Sequence, residues 1–78
     1  MNPIVRNIEP INNFQLKILF ENGEQRLFDV SPYLDKGIFA ELKDESYFKS
    51  VRVVFGSIEW PHEQDFSYDT LYVLGKPI

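Results

Sequence analysis

Phe14, Leu16, Ile18 and Phe20 fall on alternate positions, with Gln15 and Lys17 between them and Glu21 following, and the segment runs straight into Asn22-Gly23. Strict alternation is the period of a strand with one buried face. An Asn-Gly pair between two such runs marks a hairpin, whose second strand is Arg26-Leu27-Phe28-Asp29-Val30. Two turns compete for the register. A two-residue Asn22-Gly23 loop pairs Leu16 with Asp29 and puts Phe28 and Val30 on the face opposite the Phe14 row. A three-residue loop, with Glu21 and Asn22 in a type I turn and Gly23 left-handed in a G1 bulge, pairs Leu16 with Phe28 and Phe14 with Val30. A one-residue slip sends every side chain to the other face. The apolar count therefore selects the bulged loop.

The rest of the chain reads around this hairpin. Residues 4–8 fit an N-terminal edge strand closed by Pro10. Ser31-Pro32 reads as an N-cap and first helical residue, opening a turn through Leu34 that Gly37 ends. Ile38, Phe39 and Leu42 have helical spacing, and Asp44 re-caps a second turn reaching Phe48. Gly56-Ser57 reads as a type II′ turn between residues 51–55 and 58–60, placing Val53 opposite Trp60 and Phe55 opposite Ile58. Pro61 stops that strand. Ser67 caps a final helical turn carrying Leu71, Tyr72 and Leu74, with Asp69 near its positive end. The expectation is a single two-layer α+β domain over residues 1–78, with two antiparallel hairpins, an N-terminal strand and short helices on one side.

Composition removes several classes. A chain of 78 residues buries only about 60% of its unfolded surface. With no cysteine it has no disulfide, no thiolate zinc site and no thiol nucleophile. Aromatic residues at 15%, among them seven Phe and four Tyr, supply large side chains for the core instead. Twelve acidic against eight basic residues give a net charge of -4, the wrong sign for binding a phosphate backbone directly. No basic region followed by an apolar core opens the chain, and no apolar run is long enough to span a bilayer. A cytoplasmic protein without membrane attachment is expected.

The segment that concentrates chemistry is residues 59–69. It holds Glu59, Glu63, Asp65 and Asp69, the only His (His62) and the only Trp (Trp60), with no Lys or Arg. The remaining eight acidic residues are matched by the eight basic ones, so the net charge is local to this stretch. A metal reading would use His62 with Glu63, Asp65 or Glu59, yet no second His exists to complete a zinc motif. A calcium-loop reading places Asp65, Ser67 and Asp69 at the first, third and fifth positions. It fails at Thr70, where Gly is required, and at Lys76, where a bidentate Glu belongs. Asp65, Asp69 and Asp29 read more simply as turn and cap residues. No serine lies in a nucleophile elbow, and the isolated glycines make no phosphate loop. Trp60 reads as core. No catalytic residue, metal or cofactor is assigned, and Glu59, His62, Glu63, Asp65 and Asp69 are left as a candidate partner-binding surface.

Phe20-Glu21-Asn22-Gly23-Glu24, Phe28-Asp29, Tyr33-Leu34, Gly37, Phe39, Leu42, Phe48, Val51, Trp60, Asp65 and Leu71-Tyr72 follow one another in an order that resembles the small bacterial family called domain of unknown function 2442. The resemblance covers nearly the whole chain. Pro61-His62-Glu63 departs from the Asn, Asp or Gly common after the Trp in members, so the resemblance lends His62 no role. It implies an α+β fold and a bacterial cytoplasmic setting, but no agreed activity and no catalytic residues to carry over. Members stand alone, joined to helix-turn-helix segments, or beside another small protein in an arrangement similar to toxin and antitoxin pairs. The expected function is a non-enzymatic interaction or regulatory module with a protein partner or a second copy, docking at a strand edge (residues 4–8 or 51–55) or at the acidic segment. The alternative is a small metal-dependent or acid/base enzyme centred on residues 62–65.

Overall fold

The computed structural model describes residues 1–78. Strand β1 (Val5–Ile11), β2 (Gln15–Phe20), β3 (Gln25–Asp29) and the terminal β7 (Lys76–Pro77) form one antiparallel sheet in the order β1-β2-β3-β7. A second sheet joins β4 (Arg52–Val54), β5 (Ser57–Glu59) and β6 (Asp65–Phe66) in that order. Between the sheets in sequence lie a 3-10 turn (Ser31–Tyr33), a 3-10 helix (Gly37–Lys43) and α1 (Glu45–Phe48); α2 (Tyr68–Leu74) follows β6. The α+β architecture is the one the sequence indicates.

The β2–β3 hairpin has the bulged register. Leu16 lies opposite Phe28, the Val30 N–H donates to the Phe14 carbonyl at 2.9 Å, and Gly23 is left-handed at φ +88°. Leu16, Ile18, Phe20 and Phe28 are therefore all buried on one face. Val5, Leu42, Phe48, Trp60, Leu71 and, from the second sheet, Ile58 and Phe66 pack with them. Lys17, Glu9, Asn7 and Gln25 face solvent on the other side of the first sheet. Trp60 is fully buried, and its indole N–H donates to the Phe48 carbonyl at 2.8 Å, so its one polar atom is satisfied inside the core.

Capping follows local chemistry at two of the three expected sites. Asp44 accepts from the N–H groups of Ser46 and Tyr47 and starts α1, while Ser67 accepts from the Thr70 N–H and starts α2. Ser31 does not act as a cap. Asp29 accepts the Ser31 N–H at 3.0 Å, so Ser31 already lies inside the turn, and the capping position falls to Val30 without a side-chain bond. An Asp two residues upstream closes a tighter local ring than the Ser hydroxyl offers. The Gly37–Lys43 segment winds as a 3-10 helix, whose three-residue period puts Phe39 and Leu42 on the inner side and turns Ile38 out to 63% exposure.

The second hairpin departs from its expected register. Val53 pairs with Ile58 rather than Trp60, and Val54 with Ser57. The loop residues are Phe55 (φ +49°) and Gly56 (φ +78°), a pair of left-handed residues as in a type I′ turn, in place of Gly56-Ser57. The two registers differ by two residues, so both present the same side chains to the core and the apolar pattern cannot separate them. The N-terminal segment decides between them. The Val5 N–H donates to the Gly56 carbonyl at 2.8 Å, and Ile4 rests on the Gly56 Cα. The N-terminal strand also runs past Pro10 to Ile11, which an edge position allows.

A polar clamp holds the C-terminal end. The Arg26 guanidinium lies 3.8 Å over the Tyr72 ring and donates to the carbonyls of Tyr72 (2.8 Å) and Gly75 (3.3 Å), satisfying acceptors at the end of α2. Glu24 takes both Arg26 (2.9 Å) and the Tyr72 hydroxyl (2.7 Å). These bonds, led by that of Tyr72, hold the Glu24 carboxyl below its usual range.

Candidate functional site

The five residues singled out by sequence divide among three places. Glu59 on β5 lies opposite Asp65 on β6 and Arg52 on β4, so the three form a row across the solvent face of the second sheet. Arg52 contacts Glu59 at 3.4 Å, and Asp65 has no ion partner. His62 and Glu63 lie in the loop between β5 and β6, and Asp69 lies in the first turn of α2, accepting from the Asn2 amide at 3.0 Å. Nowhere do three or more His, Asp or Glu side chains converge to hold a metal ion.

The loop itself repeats the geometry of the first hairpin. The Glu63 N–H donates to the Trp60 carbonyl and the Trp60 N–H to the Gln64 carbonyl, as Gly23 and Glu24 do with Phe20. Glu63 thus occupies the left-handed position that Gly23 takes, at φ +76°. The outcome is an exposed, convex turn with His62 at its apex, its side chain 65% exposed.

Sequence reading missed what anchors that turn. Gln64 is buried, accepts the Tyr47 hydroxyl proton, and donates to the Ile38 carbonyl and to Glu41, each at 2.9 Å. The Tyr47 hydroxyl in turn accepts the His62 N–H at 2.8 Å, and the His62 ring stacks on Tyr47. Glu41 completes the group with its second oxygen 2.6 Å from His62 Nδ1. The Gln64 amide, followed by His62, holds the Glu41 carboxyl below its usual value. A carboxylate accepting at Nδ1 requires the proton there, so that Nε2 is the acceptor of a neutral ring. The oriented imidazole of this protein is thus supported by Glu41, a residue outside the acidic segment, and neither Glu63 nor Asp65 bonds to it. Gln64 stands between two charged residues, Glu63 and Asp65, so nothing in the local pattern marks its amide as buried.

A second feature lies at the tip of the β4–β5 hairpin. Phe55 is fully exposed and enters none of the aromatic contacts that tie the other Phe side chains together. Phe14 also has a positive φ (57°), but its ring packs edge-on against Phe48 at 5.4 Å. Strain at Phe14 is offset by the packing of its half-buried ring; at Phe55 no such packing exists. The N-terminal segment and α2 converge on this tip. Ile4, 43% exposed, covers Gly56, the Ser57 hydroxyl accepts the Tyr68 N–H at 3.0 Å, and Asp69 follows, bonded to Asn2. Along β1, the Val5 N–H is taken by Gly56 and Pro10 has none, leaving fewer free donors for a partner strand than its length suggests.

Fold and surface define a small α+β protein of two antiparallel sheets and short helices, with an apolar hairpin tip and an exposed loop carrying His62 and Glu63. Over residues 5–77 the chain matches, and belongs to, the family described as protein of unknown function, DUF2442. Neither a curated protein nor a solved structure matches it. No helix is long and apolar enough to cross a membrane.

Proposed function

We propose that this protein is a non-enzymatic protein-interaction module, and that the β4–β5 tip is the surface it offers to a protein partner. The observation that carries this reading is Phe55, a large aromatic side chain standing wholly in solvent on a left-handed backbone that favours Asn, Asp or Gly. A ring that contributes nothing to its own core and strains its own turn gains free energy only when something else covers it. Asp69 stands beside this docking surface as a charge that steers a basic partner, while Glu59 and Asp65 lie further along the sheet and His62 and Glu63 in the loop at the far end of β5. A regulatory pairing with a neighbouring small protein fits the family context. The test places a photo-crosslinking benzoylphenylalanine at position 55 of the full chain in its native cells, with position 17 on the far sheet face as control. One defined protein joined at 55 and not at 17, whose co-purification is lost in Phe55→Asn, supports the reading. No product at 55 together with strictly monomeric sedimentation overturns it.

A further inference from the structure

We infer that the partner engaged by this tip is a different protein presenting a concave apolar pocket with a basic group on its rim, and not a second copy of this chain. The inference rests on the docking role of Phe55 proposed above. Its first support is area. Phe55 offers about 200 Å² of ring surface, and Ile4 adds less than half of its own. A stable interface takes about 800 Å² from each side. Two convex tips laid against each other fall well short of that. A cavity that swallows the turn also covers Asn2 and the start of α2, which are held beside it by the Asn2–Asp69 and Tyr68–Ser57 hydrogen bonds.

The second support is that this chain has no receptor for its own Phe55. Its one surface depression is lined by Asn7, Glu9, Lys17, Leu19 and Gln25, of which only Leu19 is apolar. A benzyl group there would desolvate two charged side chains and gain little.

The third support is charge. Asp69 stands beside the tip, one residue beyond Tyr68, whose N–H is bound to Ser57. Its only partner is the neutral Asn2 amide, and none of the chain's ion pairs includes it. A second copy, with the same net charge of -4, would bring repulsion to this contact. A Lys or Arg on a partner's rim meets an uncompensated carboxylate.

The experiment titrates the protein crosslinked at position 55, purified without the crosslinker, against the full chain by calorimetry at low and high salt. Phe55→Asn is expected to weaken binding about thirty-fold or more. Asp69→Asn should weaken it about three- to tenfold and flatten its salt dependence. Lys17→Ala should leave binding unchanged, and thermal unfolding of each variant shows that it is folded. Loss of binding in Phe55→Asn with no effect of Asp69→Asn or salt overturns the basic rim and leaves the docking role standing. Crosslinking of two copies of this chain, with a dimer in sedimentation that Phe55→Asn abolishes, overturns the inference in favour of self-association. Indifference to Phe55 overturns both.

Discussion

Ile4 packs so closely over Gly56 that a Cβ on Gly56 would stand 2.8 Å from the Ile4 Cβ. Gly56 is also left-handed at φ +78°. Gly56→Ala therefore meets both backbone strain and a steric clash that only movement of β1 relieves. A loss of about 2–4 kcal/mol is expected from urea unfolding. Gly37 provides the control, because it shares the positive φ (51°) but has nothing within 4 Å of its would-be Cβ. Gly37→Ala should lose about 1 kcal/mol from strain alone. Equal losses at the two positions would refute the close approach.

Glu63 and Phe55 occupy left-handed positions without glycine's freedom. Glu63→Gly should raise stability by about 0.5–1 kcal/mol, since the same loop geometry around Gly23 is made by glycine. Phe55→Asn should be neutral or stabilising by about 0.5 kcal/mol, because Asn tolerates this conformation and no packing is lost. Chemical denaturation reads both. Clear destabilisation by Phe55→Asn would mean that the ring serves the fold, removing the basis for its docking role.

The buried amide of Gln64 ties three segments together. Gln64→Leu leaves the Tyr47 hydroxyl, the Ile38 carbonyl and one Glu41 oxygen without their partner. A cost of about 2–3 kcal/mol is expected. Tyr47→Phe should cost about 1 kcal/mol, and the double variant less than the sum, because both remove the same bond. Strict additivity in the double-mutant cycle would show that the network is not shared.

Glu24 and Glu41 both have carboxyl groups held below the ordinary value of 4.5, the first by Tyr72 and Arg26 and the second by Gln64 and His62. A carboxylate whose folded value is depressed contributes stability that is fully present above the unfolded value and lost as pH falls through the folded one. Stability should therefore decline as pH drops from about 5 downward. Glu41→Gln keeps an acceptor for the Gln64 amide but cannot titrate. It should flatten that decline, and Glu24→Gln combined with it should flatten it further. Thermal unfolding followed across this acid range would contradict the assignment if wild type and the double variant ran parallel.

Where structure agreed with sequence, the deciding forces were short-range. The register of β2 and β3 follows from Gly23 and a period of two, because the alternative turns the apolar row of β3 toward water. Asp44 and Ser67 cap helices because their side chains reach amides two or three residues away. Burial of Trp60 follows from the period of two, which puts it on the same side of the chain as Ile58 although β5 itself ends at Glu59. The α+β class and the family are legible on the same grounds.

What tertiary structure alone decided lies where distant segments meet. Both registers of the β4–β5 hairpin expose the same faces, and only the arrival of Ile4 and Val5 at Gly56 separates them, leaving Phe55 in the turn. His62 finds Glu41 across 21 residues, and Gln64 finds Tyr47 across 17, contacts that no spacing rule connects. The acidic stretch that looks continuous along the chain is divided in space, because a strand pair, a loop and a helix start carry its charges in three directions. Local chemistry sets the elements of this small chain, but its surface is set by which elements touch, since side chains adjacent in sequence share a site only when packing turns them the same way.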